Sequence, residues 1–452
     1  MKKNFFLILL MNFLCIITSK KVIIPFKTSH NTAINYIESL LYNQIYATLE
    51  IGSNKQVVYL GISTEESLFV VESADIKEFN YNCSKSTSYK KNGGRYLIYD
   101  SLYRYMQGDI INDTFYFYDS FDIKKDNIRQ YNDIMFAYVS QLGKYFNPED
   151  NGYIDNNKTL ISGIIGLQIT TYYNNYEHMS IFKTLKNLDL IDKLVWTLNY
   201  TNNEEGYLII GENPYQYNES YSEDKKKKTS CTTPSDRDFS WTFSFTDIKS
   251  GNNKLNSYRY ADYSPQYGLV KGTSEYLTII KPYFQKLEKC ELKEITIKAF
   301  KYSYYECDIN VNVNDFEPLT FIHNELELQF ILDKNDLFID YNGKKYFLVV
   351  FQKENYGQKW SLGKPFTKKY QFTFDHDSKN IFYYEFVKAE PKSNNTIIII
   401  IVCSFLGIVA IILGIVIGKI FVAERKKKKA NELVDEIDNN KENNEEYNKL
   451  GV

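Results

Sequence analysis

The sequence predicts an all-β fold arranged as two lobes of sandwich or barrel type, and three observations carry that prediction. Short runs rich in β-branched and aromatic residues recur along most of the chain. Helical periodicity is confined to two short stretches. A weak internal repeat relates the halves: an irregular loop is followed about a hundred residues later by an apolar-apolar-Gly motif, from Gly61 to Gly166 and again from Ser264 to Gly363. Repetition on that scale implies duplication about a pseudo-twofold axis.

Residues 1–19 read as a secretory signal, with Lys2 and Lys3 ahead of an apolar run from Phe5 to Ile17 and small polar Thr18 and Ser19 after it. Residues 20–43 follow as a propeptide or lead-in segment. The first lobe, 44–215, opens with Tyr46–Gly52 and Gln56–Leu60, two alternating strands joined at Gly52-Ser53-Asn54 into a hairpin. Further strands are expected at Tyr96–Tyr99, Thr114–Tyr118 and Tyr207–Ile210, and a helix at Ser180–Leu190, whose Ile181, Leu185 and Leu188 share a face. The polar stretch Tyr215–Ser230, with Lys225–Lys228, divides the halves. The second lobe, 216–390, carries strands at Trp241–Asp247, Leu319–Ile322, Tyr346–Phe351 and Tyr370–Phe374. Its helix spans Glu275–Cys290 on the spacing of Leu277, Ile280, Phe284 and Leu287.

Residues 396–418 are uncharged and mostly Ile, Val, Leu and Gly. At ~1.5 Å rise per residue such a run exceeds a ~30 Å hydrocarbon core, so it reads as a transmembrane helix. Arg425–Lys429 are five consecutive cations just beyond it, which keeps residues 419–452 in the cytosol and gives a type I, single-pass topology with the large N-terminal region lumenal or extracellular. The implied location is the secretory or endolysosomal pathway or the cell surface. Sequons at Asn82, Asn112, Asn157, Asn199, Asn218 and Asn394 suit that topology as glycosylation sites. In the tail, Tyr447-Asn448-Lys449-Leu450 has the form of a tyrosine-based sorting signal for an adaptor, on a charged segment with the composition of a disordered one.

A hydrophobic content of 44% supplies material for packed cores, and a net charge of -2 offers no basic field for nucleic acid. Outside the signal and the span the cysteines are Cys83, Cys231, Cys290 and Cys307, in an oxidising compartment. Four cysteines allow three pairings. Cys290 with Cys307 is the favoured bridge because the intervening segment can form a hairpin, while Cys83 and Cys231 pair with each other or stay reduced. Without a Cys-x-x-Cys spacing, and with four scattered histidines, a metal site has little to build from, and no cofactor is expected.

Several segments occur in an order that matches a known family. Trp360-Ser361-Leu362-Gly363 leads to Phe366, Tyr370 and Phe374-Asp375; Ile45–Gly52 opens the first half; Ser84-Lys85-Ser86-Thr87-Ser88-Tyr89 follows. Ile161-Ser162-Gly163-Ile164-Ile165-Gly166-Leu167 and Gly206-Tyr207-Leu208-Ile209-Ile210-Gly211 come next in line. Together these resemble the pepsin-like aspartic peptidases, over roughly Tyr46–Phe386. The resemblance implies a bilobal acid-protease fold in which each lobe brings one Asp-Thr/Ser-Gly triplet to the junction, and in which a flap carries a Tyr over the cleft. Tyr99, in Ile98–Gly108, is the flap counterpart.

The chemistry that the resemblance implies needs two carboxylates sharing one proton, one activating water while the other protonates the scissile carbonyl. Counting back from Leu68-Phe69-Val70 puts Gly61 or Ile62 where the first acid belongs, and neither ionises. Glu65 and Glu66 lie nearby but are displaced and longer by a methylene, against a tolerance of roughly 1 Å. In the second half, aligning Gly272–Leu277 puts Ser264 at the acid position, while a two-residue shift brings in Asp262 as a catalytic remnant. The sequence therefore predicts a membrane-anchored pseudopeptidase that holds an extended peptide or protein ligand in its cleft. An active endopeptidase with unconventional residues and an unrelated β-rich surface protein are the alternatives.

Overall fold

The structure, a computed structural model, describes residues 20–28, 35–41, 45–76, 80–99, 105–123, 127–143, 161–169, 179–232, 240–256, 259–297, 300–353, 359–386, 414 and 417–433. The chain divides into two compact units, Met1–Val387 and Lys388–Val452. The first is mostly β-sheet with few helices, as the pepsin-like fold requires.

Its largest sheet has thirteen strands. From one edge inward run Tyr221–Ser230, Asn380–Phe386, Phe372–Asp375, Val195–Tyr200 and Glu205–Ile210, and next to these Val22–Thr28. The sheet continues through Ile45–Ile51, Gln56–Ser63, Gly163–Gly166, Phe69–Glu72 and Ile128–Gly143 to the hairpin Tyr105–Tyr118 with Lys90–Tyr99. Residues from both halves of the sequence thus share one sheet. Phe374 pairs with Trp196 and stacks on it at 4.2 Å between ring centroids. A nine-stranded sheet holds the second half's own loop strands, Tyr260–Tyr263 and Trp360–Leu362 among them, and a four-stranded sheet packs Asp247–Ser250 beside Leu319–His323.

The strand Val22–Thr28 lies in the segment expected as a propeptide or lead-in. Its hydrogen-bonding edges are both used, by Glu205–Ile210 and by Ile45–Ala47, and Val22, Ile23, Ile24 and Phe26 are fully buried. At roughly 1.5–3 kcal/mol for each such side chain, this segment is core. The helix expected over Glu275–Cys290 runs only from Ser274 to Lys286, and Cys290 begins a strand. There Cys290 lies directly opposite Cys307 in the hairpin Cys290–Ile297/Phe300–Asp308 and forms the disulfide. Closing a loop of that length contributes about 3 kcal/mol. Among the described residues Cys83 and Cys231 are not joined to each other or to the bridged pair.

The polar stretch expected to divide the halves is itself an edge strand: Lys226, Lys227 and Lys228 pair with Tyr384, Tyr383 and Phe382. Lys227 bonds Glu385 at 2.9 Å while the Lys226 ammonium sits over the Phe382 ring. Lysines on a sheet edge are tolerated because their charges discourage further strand addition.

The signal at 1–19, the sequons Asn157 and Asn394, and Tyr447 and Leu450 lie outside the described residues, as does nearly all of 396–418. Among the described residues no helix is long and apolar enough to cross a membrane; 417–433 is helical and carries the five cations.

Candidate functional site

The two strands that lead into the junction are built alike. Gln56–Ser63 pairs in parallel with Gly163–Gly166, setting Ile62 opposite Ile165 and Ser63 opposite Gly166. Tyr260–Tyr263 pairs in parallel with Trp360–Leu362, setting Tyr263 opposite Leu362, so that Ser264 and Gly363 come next. Ser264 N–H donates to the Leu362 carbonyl at 3.0 Å, and Leu167 N–H donates to the Ser63 carbonyl at 2.8 Å.

The two glycines establish the equivalence independently. A Cβ on Gly166 would stand 2.6 Å from the Leu68 oxygen and 2.7 Å from the Glu66 oxygen. A Cβ on Gly363 would stand 2.0 Å from the Leu269 oxygen and 2.6 Å from the Tyr267 oxygen. Only glycine admits such an approach of backbone to backbone. Ser63, Glu66 and Leu68 therefore correspond in order and spacing to Ser264, Tyr267 and Leu269. Ser63, rather than Gly61 or Ile62, is the counterpart of Ser264. Gly61 and Ile62 lie within the strand, where Gly61 faces Tyr46 and Ile62 is fully buried. Counting back from Leu68 overshoots into that strand, and the signal that would have avoided it is the shared serine-to-leucine spacing of the two loops.

Hydrogen bonds from one loop to the other clasp the junction. The Thr64 hydroxyl donates to the Tyr263 carbonyl at 2.7 Å and also lies 3.1 Å from Gln266 Oε1, which accepts from the Thr64 N–H at 3.4 Å. Tyr267 donates its hydroxyl to the Glu65 carboxylate at 2.6 Å. Ser63, Thr64, Ser264 and Gln266 are all at most 3% exposed. The Gln266 Nε2 is buried without a partner among the described residues. Trp241 ties the halves again by donating its indole N–H to the Leu167 carbonyl at 2.7 Å.

Asp262 is not at this meeting point. Its Oδ1 accepts from the Thr242 hydroxyl at 2.5 Å and pairs with Lys359 at 2.7 Å, so the carboxylate is committed to its own sheet. Two lysines stand close by. Lys271 holds its ammonium 3.5 Å from the Tyr267 ring centroid, and burial pulls its pKa down against the opposing pull of Glu65 and Asp262. Among the described residues no carboxylate lies within ion-pairing distance of it. Lys364, which follows Gly363, donates to the Thr28 hydroxyl at 3.3 Å, and burial lowers its pKa to about 8. The Tyr267 phenol is pushed far above its ordinary range by burial and by Glu65.

Tyr99 ends the strand Lys90–Tyr99, its backbone opposite Tyr105; its side chain and the tip at 100–104 lie outside the described residues. The base of this hairpin is anchored by buried Asp113, whose carboxylate accepts from Ser86 at 3.0 Å, from Ser88 at 2.5 Å and from the Tyr81 hydroxyl. Of the described sequons, Asn82 caps a short turn by accepting from Ser84 N–H, and Asn218 accepts from Ser220 N–H. Asn112 and Asn199 sit in strands, where Asn112 donates to the Asp133 carbonyl and Asn199 accepts from Gln371.

No curated protein matches the sequence closely enough to count as a relative. The family model for eukaryotic aspartyl proteases matches residues 44–384, from just before the opening hairpin to the last strand of the large sheet. Its span takes in both junction loops and both glycine contacts, and the chain belongs to the eukaryotic aspartyl protease family.

Proposed function

We propose that this member of the family is a pseudopeptidase: a two-lobed protein that keeps the fold and a peptide-holding cleft and does not hydrolyse peptide bonds. The observation that carries the reading is the equivalence of Ser63 and Ser264, which take the places where the family's resemblance calls for one acid from each half. A serine hydroxyl does not ionise in the acidic-to-neutral range and cannot share a proton with its counterpart as a carboxylate pair does. Thr64 keeps the small hydroxyl residue of the first triplet and its bond to the other loop, so the junction holds together without the acids.

The alternative, an active endopeptidase, would draw on Glu65 and Asp262. Glu65 Oε1 accepts from Tyr267, and Asp262 Oδ1 is held by Lys359 and Thr242, so these contacts draw both carboxylates to partners other than a water between the serines. In the reading favoured here the hairpin that carries Tyr99 forms one wall of the cleft. An extended ligand binds there by strand pairing and aromatic contact. Residues 396–418 anchor the protein, glycans sit on lumenal sequons, and Tyr447 and Leu450 are read by a sorting adaptor.

The test is to present a diverse peptide mixture to the purified full-length chain at acidic and neutral pH, and to identify by mass spectrometry what is retained and what is cut. Retention of a restricted peptide set, intact, is the expected result. Neither retention nor cleavage would remove the cleft from the account, and cleavage would restore the enzyme.

A further inference from the structure

A separate cavity of about 750 Å³ opens in the second half of the chain, lined by Ser244, Arg259, His323 and Glu325 among others, and by none of Ser63, Thr64, Ser264, Gln266 or Lys271. Its size falls in the range of ligand sites. The Arg259 guanidinium, on an exposed residue, makes no hydrogen bond or ion pair among the described residues, and the acid whose charge it influences, Asp247, is already held by Lys254 at 2.5 Å. Glu325 accepts from the Thr229 hydroxyl at 2.6 Å and has no cation within ion-pairing distance among the described residues. One cation and one anion therefore line the same space without meeting.

Within this lining His323 is 3% exposed. Its Nδ1 accepts from the Leu326 N–H at 3.4 Å, which assigns the proton to Nε2, and that atom is buried with no partner among the described residues. Burial holds the ring below its ordinary pKa, so the residue stands in the cavity lining as a neutral one. A cation and an anion that line one cavity without meeting are complementary to a molecule with an anionic group at one end and a cationic group at the other.

We infer that this cavity is a second binding site, for a short peptide with both termini free, its carboxylate on Arg259 and its ammonium on Glu325. The experiment uses the full-length chain in mild detergent, carrying carbon-13 in its histidine rings. The sequence has four histidines, so the His323 ring signal can be assigned with a His323→Gln variant. Unblocked Ala-Ser-Ala is titrated in, followed by its N-acetylated and C-amidated forms. The expected result is a saturable shift of the His323 signal by the free tripeptide, with each blocked form binding about tenfold more weakly, the loss of roughly 1.4 kcal/mol.

Arg259→Ala should abolish the preference for a free carboxylate and Glu325→Gln the preference for a free ammonium, with the melting temperature of each variant unchanged. No saturable shift, equal binding of blocked and free peptides, or a shift produced by glucose in place of the tripeptide would each overturn the assignment. Peptide retention in the cleft is read separately, so its failure leaves this result standing.

Discussion

The hydroxyl of Thr64 bonds the backbone carbonyl of Tyr263 at 2.7 Å, linking the residue just after Ser63 to the residue just before Ser264. This bond fixes where the two loops meet, in a site where both residues are at most 2% exposed. Thr64→Val keeps the shape and removes the donor, leaving the Tyr263 carbonyl unsatisfied. The expected cost is about 2 kcal/mol in urea unfolding. A change within measurement error would mean that the loops are held by packing alone.

Lys271 presents the opposite case, a charge that the fold tolerates at a cost. Its folded-state pKa is depressed, so its stability contribution is complete only above the pKa of the unfolded lysine and is lost as the pH falls. Lys271→Met should therefore raise stability at pH 7 by about 1 kcal/mol or more, and the gain should shrink toward pH 10. Destabilisation by the methionine at pH 7 would show that Tyr267 and the more distant carboxylates compensate the ammonium fully.

Acid should destabilise the fold through a buried histidine. His376 packs against the Phe182 ring at 4.0 Å and the Trp241 ring at 5.2 Å, and burial drives its pKa down to about 3. Since the folded value lies below the unfolded one, its contribution is present above pH 6.5 and declines as the pH falls toward 3. The loss should reach roughly 2 kcal/mol by pH 5. Comparing urea midpoints at pH 7 and pH 5 for the parent chain and His376→Gln measures it, and an equal acid response in both would remove His376 as the cause.

The β-rich class, the opening hairpin, the Cys290–Cys307 bridge and the two glycine motifs were legible because each rests on local pattern: alternation, or a glycine beside an apolar run. What escaped depends on distant partners. Val22–Thr28 has strand composition, yet only the waiting edges of Glu205–Ile210 and Ile45–Ala47 make it core. Tyr221–Ser230 looks solvated until the last strand comes alongside it. The sequence singles out Ser264 but not Ser63, because a strand's register shows only when Gly166 is seen to face it. Nothing in the sequence places Arg259, His323 and Glu325 around one space.

If the halves meet at two serines with no acid pair between them, the chain should not cut peptides. The most direct measurement is hydrolysis of a fluorogenic peptide library by the purified chain from pH 3 to pH 7, with and without a pepstatin-type inhibitor. No turnover at any pH and no effect of the inhibitor are expected. Turnover that the inhibitor suppresses, and that Asp262→Ala or Glu65→Gln abolishes, would contradict this reading.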